Sequence, residues 1–248
     1  MATPTKIIGT SYGYIPSYIQ GDVSCTNLKG EVAWRCTIRP ILQSDQTGVA
    51  TFLSSAPTPY SRNGLPMPME AAIEKTKEWI QGHLGLEPWF AYLLHNEKGL
   101  LAGIWSMEHD PIQGDLHFSI HLGKKDQKKG IGTGVWRWVC KQFLPAMAEK
   151  GFLVAGKALE EAKIHVTVHP SHFLTAKLEK IGFTKQKIGN LDPNDHFIRS
   201  RPGDEYVYFD TRNLSSHHDG QCVQYEISVL QAMDSPITHF KDTDFIFT

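Results

Sequence analysis

The sequence predicts an α+β fold in which one antiparallel run of strands is interrupted by helices. Three observations carry that prediction. Two aromatic and aliphatic runs, residues 88–95 and 100–109, are joined by a turn from Asn96 to Gly99, the pattern of an antiparallel hairpin. Segments 115–122 and 163–169 alternate apolar and polar residues with the period of a half-buried strand. Two further segments step their apolar residues by three and four, the spacing of an amphipathic helix. At 248 residues the chain suits one large domain, or one domain with extensions.

Taken in order, residues 1–33 carry Tyr12, Tyr14 and Tyr18 among Gly, Ser and Pro with no sustained period. They are expected to form an arm that packs on the domain or closes over a pocket. Residues 34–39 read as a strand closed by Pro40, which cannot continue a ladder. Ser44 and Asp45 are good helix-starting residues for a helix to about Leu53. Prolines and the Asn63-Gly64 step make residues 54–68 a loop. Ala72, Ile73, Thr76, Trp79 and Ile80 then share one helical face, and Gly82 and Gly85 mark its exit. The hairpin follows.

In the strand over 115–122, Leu116, Phe118, Ile120 and Leu122 face one way and His117, Ser119 and His121 the other. A helix over about 130–150 presents Ile131, Val135, Trp138, Val139, Gln142, Phe143 and Ala146 as its apolar stripe. Trp136 lies off that stripe and is expected to be exposed, and Gly151 is the stop. Ile164, Val166 and Val168 share a face of the next strand; a helix over 171–180 ends at Gly182. Strands are expected at 184–188, 205–210 and 222–230, followed by a tail over 231–248.

Composition narrows function. Lys and Arg total 25 against 26 Asp and Glu, a net charge of -1, so overall charge favours neither nucleic acid nor an anionic membrane. No apolar run approaches the ~20 residues needed to span a bilayer, and the first residues lack a signal-peptide core. Cys25, Cys36, Cys140 and Cys222 lie far apart, with no metal-ligand or redox spacing. Thiols of this kind fit a reducing cytoplasm.

The stretch GKKDQKKGIGTG, residues 123–134, carries the chemistry. A strand runs in and a helix runs out. Glycines at 130, 132 and 134 remove β-carbons that would keep a ligand from the backbone. A helix start offers unpaired N–H groups and a partial positive charge, a natural site for phosphate. Lys124, Lys125, Lys128 and Lys129 add local positive charge that the global balance conceals. No Gly-Lys-Ser/Thr closes the loop, which excludes a P-loop, and the six-residue Gly spacing of a dinucleotide fold is missing.

Gln127-Lys128-Lys129-Gly130-Ile131-Gly132 resembles the Gln/Arg-x-x-Gly-x-Gly/Ala loop of the GNAT superfamily of acyl-CoA-dependent N-acyltransferases. His169-Pro170-Ser171 and Leu178-Glu179-Lys180-Ile181-Gly182-Phe183 are similar to that family's second signature, in the right order. Ile38-Arg39-Pro40 with Asp45 resembles the usual start of its fold. The LEKIGF ending is similar to the branch of ribosomal-protein N-terminal acetyltransferases and some antibiotic acetyltransferases. The resemblance covers residues 34–230 and implies a three-layer fold. Its central sheet would have six to seven mostly antiparallel strands, splayed at the cofactor cleft and flanked by helices. Residues 1–33 and 231–248 then remain as an arm and a tail, expected to cover the acceptor site or a dimer interface.

The resemblance also implies a site. Acetyl-CoA would place its pyrophosphate on the amides of Gln127, Lys128, Lys129, Gly130, Ile131 and Gly132, with Thr133 adjacent. Pantetheine would pair with the strand edge at Ile120, His121 and Leu122, and Ser171 would lie at the second signature. The base position of many members falls at or within one residue of His117, whose ordinary pKa near ~6.5 suits a base at neutral pH. Ser119 and His121 share its face for a relay through water, and Asp115 and Glu108 are reserves. The family's common acidic Tyr position holds Leu178, so a proton for the leaving thiolate would come from water, Ser171, His172 or a tyrosine of the arm.

No metal is expected. His117 and His121, like His165 and His169, are four apart on strands, hence ~13 Å at ~3.3 Å per residue, too far to share one ion. The expected activity is acetyl transfer to a primary amine of a protein or small molecule. Its rival is a non-catalytic CoA-binding or interaction module, favoured by Leu178 and by His at the base position.

Overall fold

The computed structural model describes residues 19–27, 32–56, 66–85, 89–109, 114–127, 129–168, 175–190, 221–235 and 245–247. Its strands are β1 (Gly21–Asn27), β2 (Val32–Pro40), β3 (Trp89–Asn96), β4 (Leu101–His109), β5 (Leu116–Leu122), β6 (Leu153–Val154), β7 (Lys157–Ala158), β8 (Lys163–Val168), β9 (Thr184–Asn190), β10 (Gln221–Ser228) and β11 (Phe245–Phe247). Its helices are α1 (Gln46–Ser55), α2 (Met69–His83), α3 (Ile131–Trp138), α4 (Leu144–Glu149), α5 (Thr175–Lys180) and α6 (Val229–Asp234).

Nine strands form one open sheet in the order β11-β1-β2-β3-β4-β5-β8-β10-β9, and β6 and β7 pair apart as a small hairpin. Every neighbouring pair in the sheet is antiparallel except β5 and β8. Those two touch only at Leu116↔Ile164 and His117↔His165, then part. Each keeps its outer neighbour throughout, β5 pairing with β4 to Leu122 and β8 pairing with β10 to Val168. The sheet is therefore split by a wedge that opens just past His117.

Alternation along the central strands builds two cores. Phe90, Tyr92 and Leu94 of β3, with Trp105 and Met107 of β4, pack against Val135, Trp138, Phe143 and Met147. The intervening Ala91, Leu93 and Ile104 face Val49, Ala50 and Leu53 of α1 and Ala72 and Trp79 of α2. Tyr92 lies flat on Trp105, with ring centroids 4.8 Å apart, and the edge of Phe143 meets Trp105 at 5.0 Å. Helix, sheet and helix thus make three layers.

The structure corrects several expectations. Among the described residues the sheet has nine strands, not six to seven, because residues assigned to the arm and tail supply β1 and β11 at its outer edge. Trp136 is buried against Phe118 and Phe183 at 5.1 and 5.2 Å, since the start of α3 is covered on more than one side. A π-turn at Val139–Phe143 separates α3 from α4 and rotates the later face, leaving Gln142 exposed. The strand expected at 205–210 and the three arm tyrosines lie outside the described residues. Among the described residues no helix is long and apolar enough to cross a membrane.

Candidate active site

The loop between β5 and α3 is shaped by its own hydrogen bonds. Gly123 N–H donates to Ala102 O at 2.8 Å, and a short 3₁₀ turn, Lys124–Asp126, closes with Asp126 N–H on Gly123 O at 2.8 Å. The Gln127 side-chain amide turns back to donate to Leu122 O at 2.9 Å. Gly130 caps α3 in the left-handed region, with φ +80°, a conformation that disfavours any side chain. The first α-helical bond runs from Gly134 N–H to Gly130 O at 3.0 Å. Among the described residues no side chain caps this helix start, so the amides of Ile131, Gly132 and Thr133 point out of the first turn as donors.

Gly132 supplies a test of fit for a phosphate. A Cβ built there meets nothing nearer than Ile120 Cδ1 at 3.9 Å. Packing does not require glycine at 132; the room a side chain would fill is available to a ligand approaching the backbone. Gly103 is the opposite case, where a Cβ would sit 2.5 Å from His121 O. Lys124 and Lys125 are exposed at the loop. Lys129 is partly occupied: its Nζ lies 3.3 Å from Oδ1 of Asp126, whose side chain is buried. Lys128 lies outside the described residues.

Strand β5 lies between the loop and a polar array. Phe118, Ile120 and Leu122 lean on the core around α3, while His117 and His121 are buried on the opposite face, as alternation requires. His121 meets the edge of Phe52 at 5.4 Å, and Ser119, between the histidines, is half-buried. Beyond His117, no described strand pairs with the wedge-side edge of β5, which leaves backbone groups at 118–122 for an extended ligand.

At the apex of the wedge His117 stacks on His165, with centroids 5.2 Å apart and planes 26° from parallel. His165 is clamped at both ring nitrogens. Nε2 is 2.9 Å from Asp115 Oδ2, and Nδ1 is 2.9 Å from the Gln224 amide nitrogen. With Gln224 donating to Nδ1, the ring proton sits on Nε2 and is donated to the carboxylate, a tautomer assigned from the network. Asp115 Oδ1 also accepts from Lys163 N–H at 3.2 Å. Burial raises the Asp115 carboxyl, yet its bonds from His165 and Lys163 hold it below the ordinary range. Lys163 Nζ pairs with Glu226 at 3.0 Å, and Glu108 is the cross-strand partner of His117.

The expectation for His117 changes in one respect. Burial, helped by nearby His165 and opposed by Asp115, pushes its pKa down to about 3 rather than leaving it near neutrality. The ring is uncharged at physiological pH. Leu178 is buried in the core beside Phe183, so the family's acid position is apolar here. Ser171 and His172 lie outside the described residues. Sequence reading did not single out Asp126, Gln224 or the clamp on His165. Gln224 lies between Val223 and Tyr225 on β10, and all three are buried. Among the described residues no group of three or more His, Cys, Asp or Glu stands where it could hold a metal ion.

No family model matches the sequence, and no curated protein matches it. Solved structures do match the fold. A probable acetyltransferase superposes with TM-score 0.51 at 16% identity, over 78% of this chain and 92% of its own. The spermidine/spermine N-acetyltransferase SpeG from Vibrio cholerae gives 0.50 at 14%, over 80% and 95%. The ribosomal L7/L12 alpha-N-protein acetyltransferase RimL, in complex with coenzyme A, gives 0.51 at 12%, over 78% and 93%. The chain therefore has the fold of the GNAT acetyltransferases.

Proposed function

We propose that this chain is an acyl-CoA-dependent N-acyltransferase that moves an acetyl group from acetyl-CoA to a primary amine by direct attack. One observation carries the reading. The wedge between β5 and β8 leaves the β5 edge beyond His117 without a strand partner among the described residues, and that strand leads into a helix start whose amides and glycines suit a phosphate. The solved structures sharing this fold include, by their descriptions, a spermidine/spermine N-acetyltransferase and a ribosomal L7/L12 alpha-N-protein acetyltransferase in complex with coenzyme A.

In this reading the amides near Gly130–Thr133 hold the pyrophosphate, Lys124 and Lys125 add positive charge, and the edge at 120–122 pairs with pantetheine. The thioester then reaches the wedge near His117 and Ser119. The amine nitrogen attacks the thioester carbon, a C–N bond forms and the C–S bond breaks. The nitrogen sheds one proton and the leaving thiolate takes one up. His117, held neutral by burial, has the lone pair to receive that proton in passing, and the Asp115 charge opposes the cost of protonating it. Ser119 and His172 are the groups proposed to pass a proton on toward sulfur. The acceptor is a protein or small-molecule amine in a cytoplasmic setting.

A second reading, a CoA-binding module without turnover, is favoured by buried Leu178 at the acid position. Thiol release with acetyl-CoA and a panel of peptides, aminoglycosides and polyamines separates the two. Amine-dependent release is expected. Binding of acetyl-CoA without release on any amine would establish the second reading, and no binding would remove both.

A further inference from the structure

We infer that Trp34, on β2 and far from the loop in sequence, is a positioning residue that aims the Gly130 amide at the cofactor phosphate. The inference rests on the proposed acyl-CoA reading. Trp34 is buried in the core shared with α3, and its indole N–H donates to the backbone carbonyl of Lys129. That carbonyl belongs to the peptide joining Lys129 to Gly130, and every described peptide bond is trans. In a trans peptide the C=O and the following N–H point in opposite directions. An indole that holds the Lys129 oxygen inward therefore turns the Gly130 N–H outward, away from the core and beside the amides of the first helical turn.

The hold matters because this peptide precedes a glycine. Gly130 tolerates both signs of φ, so the peptide plane has a rotational freedom that most residues would remove. The loop's other described side-chain ties are local, Gln127 to Leu122 O at the end of β5 and Lys129 to Asp126. Trp34 ties it to β2, a strand distant in sequence. The neighbourhood is built to keep the indole in place. Trp34 pairs with Cys25 on β1, and β1 closes over the end of α3, where a Cβ at Gly21 would lie 2.2 Å from Trp138 Nε1. Cys36, next on the same face of β2, lies close enough to Asp126 for the carboxylate to add to burial in pushing its thiol up to about 12. The β1–β2 edge thus acts as a brace under the phosphate loop.

Trp34→Phe keeps a ring in the core and deletes the donor; Trp34→3-benzothienylalanine keeps the full indole shape with sulfur in place of N–H. The full chain and both variants are titrated with coenzyme A, and acetyl transfer to the best amine of the panel is followed. Expected is a ~3- to 10-fold weaker Kd for coenzyme A and a matching rise in KM for acetyl-CoA, the range of one lost neutral hydrogen bond. The kcat and the amine KM stay near wild type. Ile38→Val, in the same core and outside the loop, is the control: its Tm falls while coenzyme A affinity is unchanged. Equal affinity in wild type and the benzothienyl variant overturns the inference while leaving the acyl-CoA reading intact. A loss that also lowers kcat in proportion overturns it too, by showing general loosening. Absence of binding in the wild-type chain fails the underlying reading itself.

Discussion

The glycine loop before α3 and the histidine array sit at opposite ends of β5, and they are built in different ways. The loop is made of backbone: Gly130 at φ +80°, uncapped amides at the head of α3, and open space at Gly132. The array is made of side chains brought together from the start of β5, β8 and β10: His117, His165 and Gln224 are buried and Asp115 half-buried, with His165 hydrogen-bonded to Asp115 and Gln224 and stacked on His117. A backbone site needs glycines at fixed spacing and advertises itself in the sequence. A side-chain site needs residues brought together by register, and its chemistry is set by burial that no local pattern reveals. The loop should therefore govern cofactor affinity and the array should govern turnover.

The largest expected effect comes from Gly130→Val. A β-branched residue at this positive φ is strained and cannot present the same backbone, so acetyl-CoA affinity should fall by about 100-fold or more by calorimetry. Retained affinity would mean the phosphate binds elsewhere. His117→Asn should lower kcat by about 100-fold, in the range of a proton-transfer role, with KM for acetyl-CoA unchanged. A change confined to that KM would erase the contrast between the two ends of β5. Because His117 titrates only near about 3, the rising limb of kcat/KM should follow the pKa of the acceptor amine and shift when the amine is changed. A limb fixed near 6.5 for every amine would assign the base to another group.

A smaller effect concerns stability. His83, His109 and His117 are buried and neutral, with pKa values pushed down by burial to about 4, 3 and 3. His83 gives its core position a use, its Nε2–H donating to Ala91 O at 2.7 Å, and that bond raises its pKa without offsetting burial. In the unfolded chain each titrates near ~6.5, so below that pH the unfolded state binds more protons. Stability is fully present above ~6.5 and falls as pH drops toward 4 and 3. Denaturant unfolding at pH 7.5 and 5 should differ by roughly 1–2 kcal/mol for each buried histidine. No difference would show that these rings are hydrated or already paired with charge.

The same contrast explains what was legible in the sequence. Alternation placed Leu116 to Leu122 on the correct two faces, and three-four spacing placed Ala72, Thr76 and Trp79 of α2 inward. These are local periodicities enforced by one-sided burial. Strand β1 escaped notice because Val23 is its one clearly apolar inward residue and Gly21 is small to clear Trp138. Trp136 was misplaced because a helix covered on several sides has no single stripe. The π-turn shifted the face downstream, which a fixed 3.6-residue period cannot register. His165 and Gln224 are separated by 59 positions and meet only through the β8–β10 pairing. Their distance from each other in sequence hid a contact that the sheet makes certain.

The central claim is that α3 begins in a backbone-built phosphate site of acetyl-CoA, and Gly132→Ala tests it most directly. The added methyl fits the protein, with its nearest described neighbour at 3.9 Å, but it would occupy the space that the proposed reading gives to the ligand. Calorimetric titration of acetyl-CoA into the wild-type chain should show saturable binding, weakened by about tenfold in Gly132→Ala with no fall in Tm. Equal binding in both proteins, or none in the wild type, would contradict the account.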